Sequence, residues 1–239
     1  EGYRSIILDL RGHGESDWAP DGDYSLGAIA RDLVEVGESV AVGRPRPHVV
    51  GASLGGLAAI VAAGMFARDA FESVTLVDIT PNMDAAGVTK VVGFMGAHVK
   101  EGFASLEQAA DVVATYLPHR PRPKDLEGLR KNLRQGEDGR WRWHWDPAFI
   151  TGVTRRSGVA RTSELEQAVR NIRVPLHLIR GRMSELVTED SVAAFRSLAP
   201  RAHFTDVAGA RHMVAGDCND LFVEAVVSFL RPIREQTPA

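Results

Sequence analysis

Short apolar runs alternate along this chain with stretches in which apolar positions recur every three or four residues. Ser5-Ile6-Ile7-Leu8-Asp9-Leu10 is nearly continuous and is followed by the turn-forming Arg11-Gly12-His13-Gly14, the pattern of a buried strand ending in a loop. His48-Val49-Val50, Val74-Thr75-Leu76-Val77 and Leu176-His177-Leu178-Ile179 have the same form. Between the first two of these four runs, Leu26, Ile29, Ala30, Leu33, Val36 and Val40 fall on one helical face. Near the end Leu221, Ala225, Val226, Phe229 and Leu230 do the same. Strands separated by helices predict an α/β fold, a mostly parallel sheet with crossover helices.

The stretch 82–173 breaks this rhythm. Val88, Val91, Val92, Met95 and Val99 form one stripe and Leu126, Leu129 and Leu133 another, neither matched to a following strand run. Asp138-Gly139 marks a turn, after which Trp141, Trp143 and Trp145 alternate with Arg142 and His144. A period of two places three indoles on one face of an extended segment. The expected organisation is a core of residues 1–81 and 174–239 with a helical cap, 82–173, inserted into it.

Composition narrows the function without deciding it. Hydrophobic residues make up 44% of the 239 and charged ones 25%, as in ordinary globular proteins. The net charge is −3, and the basic stretch Arg120, Arg122, Lys124 is broken by prolines and reads as a solvated loop, so no electrostatic footprint for nucleic acid is visible. Cys218 is alone, which excludes an intramolecular disulfide and any Cys-based zinc pattern, and a reducing cytoplasm is expected. The first residues carry neither a basic start nor an apolar signal core. Val49 to Ala67 is uncharged and long enough to span a bilayer, but its glycines and its change from strand-favouring to helix-favouring residues speak against membrane insertion.

The chemistry begins at Gly51-Ala52-Ser53-Leu54-Gly55, a G-x-S-x-G between a strand pattern and a helix pattern. A serine on so sharp a turn is held in a strained backbone and exposes its hydroxyl, and Gly51 and Gly55 are the small neighbours such a turn is expected to need. The Leu54 amide, at the positive end of the helix, is aimed where negative charge would develop on a carbonyl oxygen. A Gly-rich phosphate turn of the G-x-G-x-x-G kind would need Gly where Ser53 stands. A serine hydroxyl needs a base, usually imidazole. Of eight histidines, His212 is the leading candidate because it lies in a loop, Gly209-Ala210-Arg211-His212-Met213, between a late strand pattern and the last helix. His48 and His177 sit inside strand patterns, and His13 lies in a turn.

Asp9-Leu10-Arg11-Gly12-His13-Gly14-Glu15-Ser16, the Ser53 turn, Val77-Asp78-Ile79-Thr80-Pro81 and the late His212 together resemble the α/β-hydrolase superfamily, nearly end to end. The resemblance implies an α/β-hydrolase fold with a helical cap. It also implies a serine hydrolase in which Ser53 attacks an ester, His212 transfers the proton, a carboxylate orients the imidazole and the Leu54 amide serves the oxyanion. The family's commonest acid position is occupied by Ser184, which leaves two candidates: Glu185, one step later, and Asp78, at the alternative position used by some members. Arg211 stands where a glycine is common, crowding the mouth or meeting an anionic substrate. The segment before Asp9 is shorter than in the family and Glu1 stands where an initiator Met would. The resemblance therefore implies an N-terminally incomplete core without the His-Gly oxyanion loop.

The expected activity is cleavage of a small or medium apolar carboxylic ester through an acyl-enzyme. No cofactor or metal is expected, and the only expected partner is a small-molecule substrate. A cofactor-free perhydrolase, a C–C hydrolase and a ligand-binding, non-catalytic member of the fold are the alternatives. Trp141, Trp143 and Trp145 either line the substrate entrance or pack the cap. The sequence leaves the oligomeric state open.

Overall fold

The computed structural model describes residues 2–122, 125–155 and 159–236; Glu1 and Lys124 lie outside them. In chain order the first elements are α1 (Leu26–Ala41), β1 (His48–Ala52), α2 (Leu54–Val61), β2 (Ser73–Val77), α3 (Ala85–Gly96) and α4 (Leu106–Tyr116). There follow α5 (Glu127–Arg130), β3 (Leu133–Gln135), β4 (Trp141–Trp143), α6 (Pro147–Arg155) and α7 (Val159–Asn171). The chain closes with β5 (Leu176–Gly181), α8 (Glu189–Leu198), β6 (His203–Val207), α9 (Val214–Asp217) and α10 (Asn219–Gln236).

Two compact units are present. The first comprises Glu1–Arg4, Ser25–Val88 and Ser157–Ala239. Its sheet has the order β1-β2-β5-β6, every pair parallel, as the strand and helix pattern predicts. β2 and β5 are buried along their whole length. Leu76 and Leu178 enter one apolar cluster with Ile60, Val187 and Phe195, while their neighbours Val77 and Ile179 enter a second with Val207 and Ala225. Adjacent side chains leave opposite faces of a strand, so helices cover both faces, as a parallel sheet requires. α1 starts where Ser25 caps it, its side chain accepting from the Ala28 amide, and it buries Ala28, Ile29 and Ala30.

The second unit comprises Ser5–Tyr24 and Thr89–Arg156. Phe103, Leu106, Ala109, Leu133 and Trp143 form its core, with Trp143 edge-on to Phe103 at 5.2 Å and stacked on Trp145 at 4.9 Å. β3 and β4 pair antiparallel, Leu133 opposite Trp143. The Trp143 indole N–H donates to Ala97 O at 3.2 Å.

Three expectations are corrected here. Ser5–Leu10 forms no strand, and Ile7 is 93% exposed. A strand needs a neighbour to satisfy its backbone groups, and among the described residues none pairs with this segment; turns hold it instead. Asp9 accepts from the Glu15 amide at 2.9 Å and, through its carbonyl, from the Ser16 hydroxyl at 2.6 Å. The Leu126, Leu129, Leu133 stripe is not one helix, because α5 ends at Arg130 and Leu133 is drawn into β3 by its burial against the aromatic cluster. The division into units also differs from 1–81 with 174–239 against 82–173. The Arg11–Gly14 turn joins the second unit through Gly14 N to His144 O and Asp146 N to Gly12 O, both 2.8 Å. α7 joins the first by burying Leu165, Ala168 and Val169 in the sheet's larger cluster. No helix among the described residues is long and apolar enough to cross a membrane.

Candidate active site

β1 delivers Ser53 and β2 delivers Asp78 at neighbouring strand ends, since Ala52 pairs with Val77 and the Ser53 amide donates to Val77 O at 3.2 Å. Both residues have the left-handed φ that non-glycine residues rarely adopt, +47° for Ser53 and +49° for Asp78, a strain that persists only where the surroundings enforce it. For Ser53 the enforcing partner is α2, whose Gly56 and Leu57 amides donate to Ser53 O at 3.0 and 3.1 Å. The Ser53 side chain makes no capping bond with that helix. Leu54 is the first residue of α2, so its N–H is a donor that no helical carbonyl reaches.

The glycines that permit this turn are not quite those expected. A Cβ on Gly51 would lie 2.4 Å from Gly55 O, so Gly51 is required. A Cβ on Gly55 would meet nothing within 4 Å. The second close approach is at Gly56, where a Cβ would lie 2.3 Å from Ile79 Cγ2 and 2.8 Å from Gly51 O. The motif draws attention to Gly55, but the strand and the helix cross at Gly56.

Asp78 is completely buried. Its Oδ1 accepts from the Gly181 amide at 3.0 Å. Its Oδ2 accepts from the Ser184 hydroxyl at 2.6 Å and from His212 Nδ1 at 2.8 Å. Because the partner is a carboxylate, Nδ1 is the donor in this bond, and in the neutral imidazole Nε2 is then the nitrogen that carries the lone pair. The structure thus brings Asp78 and His212 together and leaves Glu185 out of that pair: the Glu185 carboxylate lies 3.9 Å from Arg211 Nη1. The preference for Glu185 over Asp78 is corrected on this geometry. Ser184 turns the chain by accepting the Leu186 and Val187 amides, each at 3.1 Å. Arg211, which fronts Glu185, also donates its own amide to Asp217 Oδ2 at 2.8 Å.

Competing histidines in this unit are placed otherwise. His48 and His203 begin β1 and β6, at the end of the sheet opposite Ser53, and burial lowers the pKa of His48. His177 is buried in β5, where desolvation and the charge of His203 push it down to about 4. His13, in the second unit, is likewise lowered by burial, against an opposing hydrogen bond to Arg11 O. The three tryptophans serve packing within the second unit: Trp143 is core, Trp145 stacks on it, and Trp141 lies under the Arg130 guanidinium at 5.1 Å. No group of three or more His, Cys, Asp or Glu residues suited to a metal occurs among the described residues.

A strained serine between strand and helix, on a parallel sheet whose next strand end carries a carboxylate bound to a late histidine, defines a hydrolase of the α/β type. The family profile for the alpha/beta hydrolase fold matches residues 1–217, and the chain belongs to that family and is an enzyme of it. It is similar to the esterase Rv0045c of Mycobacterium tuberculosis, 30% identical over 94% of this chain and 74% of the relative. A crystal structure of that esterase superposes with a TM-score of 0.70 at 31% identity, covering 93% of this chain and 75% of the other. It is also similar to the 2-(acetamidomethylene)succinate hydrolase of Mesorhizobium japonicum, 27% identical over 95% of this chain and 78% of the relative. A crystal structure of E-2-(acetamidomethylene)succinate hydrolase superposes with a TM-score of 0.76 at 25% identity, covering 93% of this chain and 80% of that one.

Proposed function

We propose that the chain is a serine hydrolase that cleaves a small or medium apolar carboxylic ester through an acyl-enzyme on Ser53. The observation that carries the reading is the 2.8 Å bond between His212 Nδ1 and Asp78, formed at the strand end beside Ser53. With Nδ1–H fixed on the carboxylate, Nε2 takes the Ser53 proton as Oγ attacks the ester carbonyl, and later returns it to the leaving alcohol. Asp78 stabilises the imidazolium that forms between these steps. The Leu54 N–H, at the start of α2, stabilises the oxyanion. Water, deprotonated by the same Nε2, then attacks the acyl-enzyme, releases the carboxylic acid and restores the Ser53 hydroxyl; these steps are proton and acyl transfers among substrate, water and side chains the protein supplies, so the reading calls for no cofactor. The similarity to a named esterase over most of both chains supports the ester as the bond attacked, and the single Cys218 is in keeping with a reducing, cytoplasmic setting.

The test is labelling with a fluorophosphonate and turnover of p-nitrophenyl esters of increasing acyl length. Ser53 should be the labelled residue, and Ser53→Ala should abolish labelling and lower ester turnover by about three orders of magnitude or more. Labelling of a different serine, or undiminished turnover by Ser53→Ala, rejects the assignment. Product analysis separates hydrolysis from perhydrolysis or C–C cleavage, which would use the same serine.

A further inference from the structure

We propose that Ser184 is a positioning residue of this reaction, holding the Asp78 carboxylate turned toward His212; the inference rests on the Ser53, His212, Asp78 reading given above. A hydroxyl has one proton to donate and two positions at which to accept. Both acceptor positions of Ser184 are taken by the Leu186 and Val187 amides. The proton is left with one direction, Asp78 Oδ2 at 2.6 Å. The same oxygen receives His212 Nδ1–H, while the other oxygen is pinned by the Gly181 amide. Turning the carboxylate away from the imidazole would therefore break bonds at both oxygens, and Ser184, 9% exposed, is buried enough for that loss to go uncompensated by solvent. The nearest charged chain neighbours, Glu185 and Arg211, face each other.

Preorganisation of this kind is felt in rate rather than in substrate binding. The experiment is the rate at which a fluorophosphonate labels Ser53 across pH in wild type, Ser184→Ala, Ser184→Thr, Ser184→Asp and Asp78→Asn, each with its thermal midpoint. Ser184→Ala should label about tenfold more slowly or worse, the worth of one hydrogen bond to a charged group, and Ser184→Thr, which keeps the hydroxyl, should recover most of the loss. Ser184→Ala also strips two buried amides of their acceptor and so lowers the midpoint, which makes Ser184→Thr the deciding variant. An aspartate still accepts from amides two and three residues on, but sets a second carboxylate against Asp78. Two carboxylates that close cannot both be ionised. Ser184→Asp should therefore share one proton with Asp78, and its labelling profile should gain a second ionisation. Ser184→Ala labelling at the wild-type rate overturns the proposal, as does a Ser184→Thr variant of native thermal midpoint that labels as slowly as Ser184→Ala. Asp78→Asn labelling as fast as wild type overturns the triad reading instead, so the two failures are distinguishable.

Discussion

The two units solve the problem of burying polar groups in opposite ways. In the sheet unit the polar residues that matter are few and deep, and Asp78 has its oxygens met by a main-chain amide, a hydroxyl and an imidazole. In the aromatic unit one carboxylate, Asp146, is buried against the Tyr24 hydroxyl, and other charged groups pair near the surface, as Arg142 does with Asp138 through two bonds of 2.9 and 2.7 Å, a pairing that holds the Asp138 carboxyl well below the usual carboxylate range. Its interior is instead a stack of rings. The contrast teaches that the proposed chemistry of this protein rests on backbone geometry at strand ends, whereas the aromatic unit rests on a few large side chains. Single substitutions should accordingly remove function from one unit without unfolding it, and unfold the other.

The largest effect is expected at Asp78. Asp78→Asn keeps size and burial but loses the charge and the acceptor-only chemistry that fix the His212 tautomer, and kcat should fall by about four orders of magnitude. Glu185→Gln, a residue later than the usual acid position, should stay within about tenfold of wild type, since its carboxylate faces Arg211 in a half-exposed pair of modest worth. Ester turnover by the two variants, each checked for a native thermal transition, decides the matter. The comparison between units loses its basis if Glu185→Gln is the more damaging of the two.

Much of this was legible from residues alone, and the failures have physical causes. Parallel strands and crossover helices follow from apolar runs and helical periodicity, and Ser53 and His212 stand out because strand-to-helix and strand-to-loop junctions place them. The sequence leaves the Asp78 partnership open because which of two carboxylates meets the imidazole is set by how the β2 and β5 ends sit beside the His212 loop; Ser184 at the usual acid position is the signal that points away from that loop. Ser5–Leu10 has a strand's pattern, but pairing is a property of two segments and cannot be read from one. Leu133 continues a helical stripe yet joins β3, since burial against Trp143 and Phe103 outweighs local periodicity.

A second test strikes the aromatic unit at its centre. Trp143 is 8% exposed and touches Phe94, Phe103 and Trp145. Trp143→Ala removes the largest ring of that core and should cost about 3–5 kcal/mol. Amide hydrogen exchange followed by residue should show protection lost over 94–145 while β2 and β5 keep theirs. Equal loss in both units would mean that they unfold as one, contrary to the comparison.

A buried histidine gives the sheet unit a pH signature of its own. His177 is 1% exposed, shares a hydrogen bond of 2.9 Å with Thr205 Oγ1, and is held at about 4 by desolvation first and by His203 second. Between about 4 and the ordinary 6.5 the unfolded chain binds a proton that the native chain does not, so stability rises with pH through that window and is lost as pH falls. The full difference is roughly 3 kcal/mol, approached near pH 4. His177→Phe should flatten this dependence in urea unfolding measured between those limits. A wild-type midpoint that stays constant across the window contradicts the buried, neutral assignment.

The smallest expected effect lies inside the turn that carries Ser53 and separates motif from geometry. Gly51 and Gly56 are held to glycine by backbone and side-chain atoms that a Cβ would strike, but Gly55 faces open space as the second residue of α2. Alanine at a helical position without a clash restricts the unfolded chain more than the folded one and favours the helix, a gain of about 0.5–1 kcal/mol at most. Gly55→Ala should thus raise the urea midpoint slightly at unchanged slope, while Gly56→Ala, driven against Ile79 and Gly51, should lower it. A fall in midpoint for Gly55→Ala comparable to that of Gly56→Ala would mean that the motif's own glycine bears the crossing and that the strand and helix approach more closely than 4 Å there.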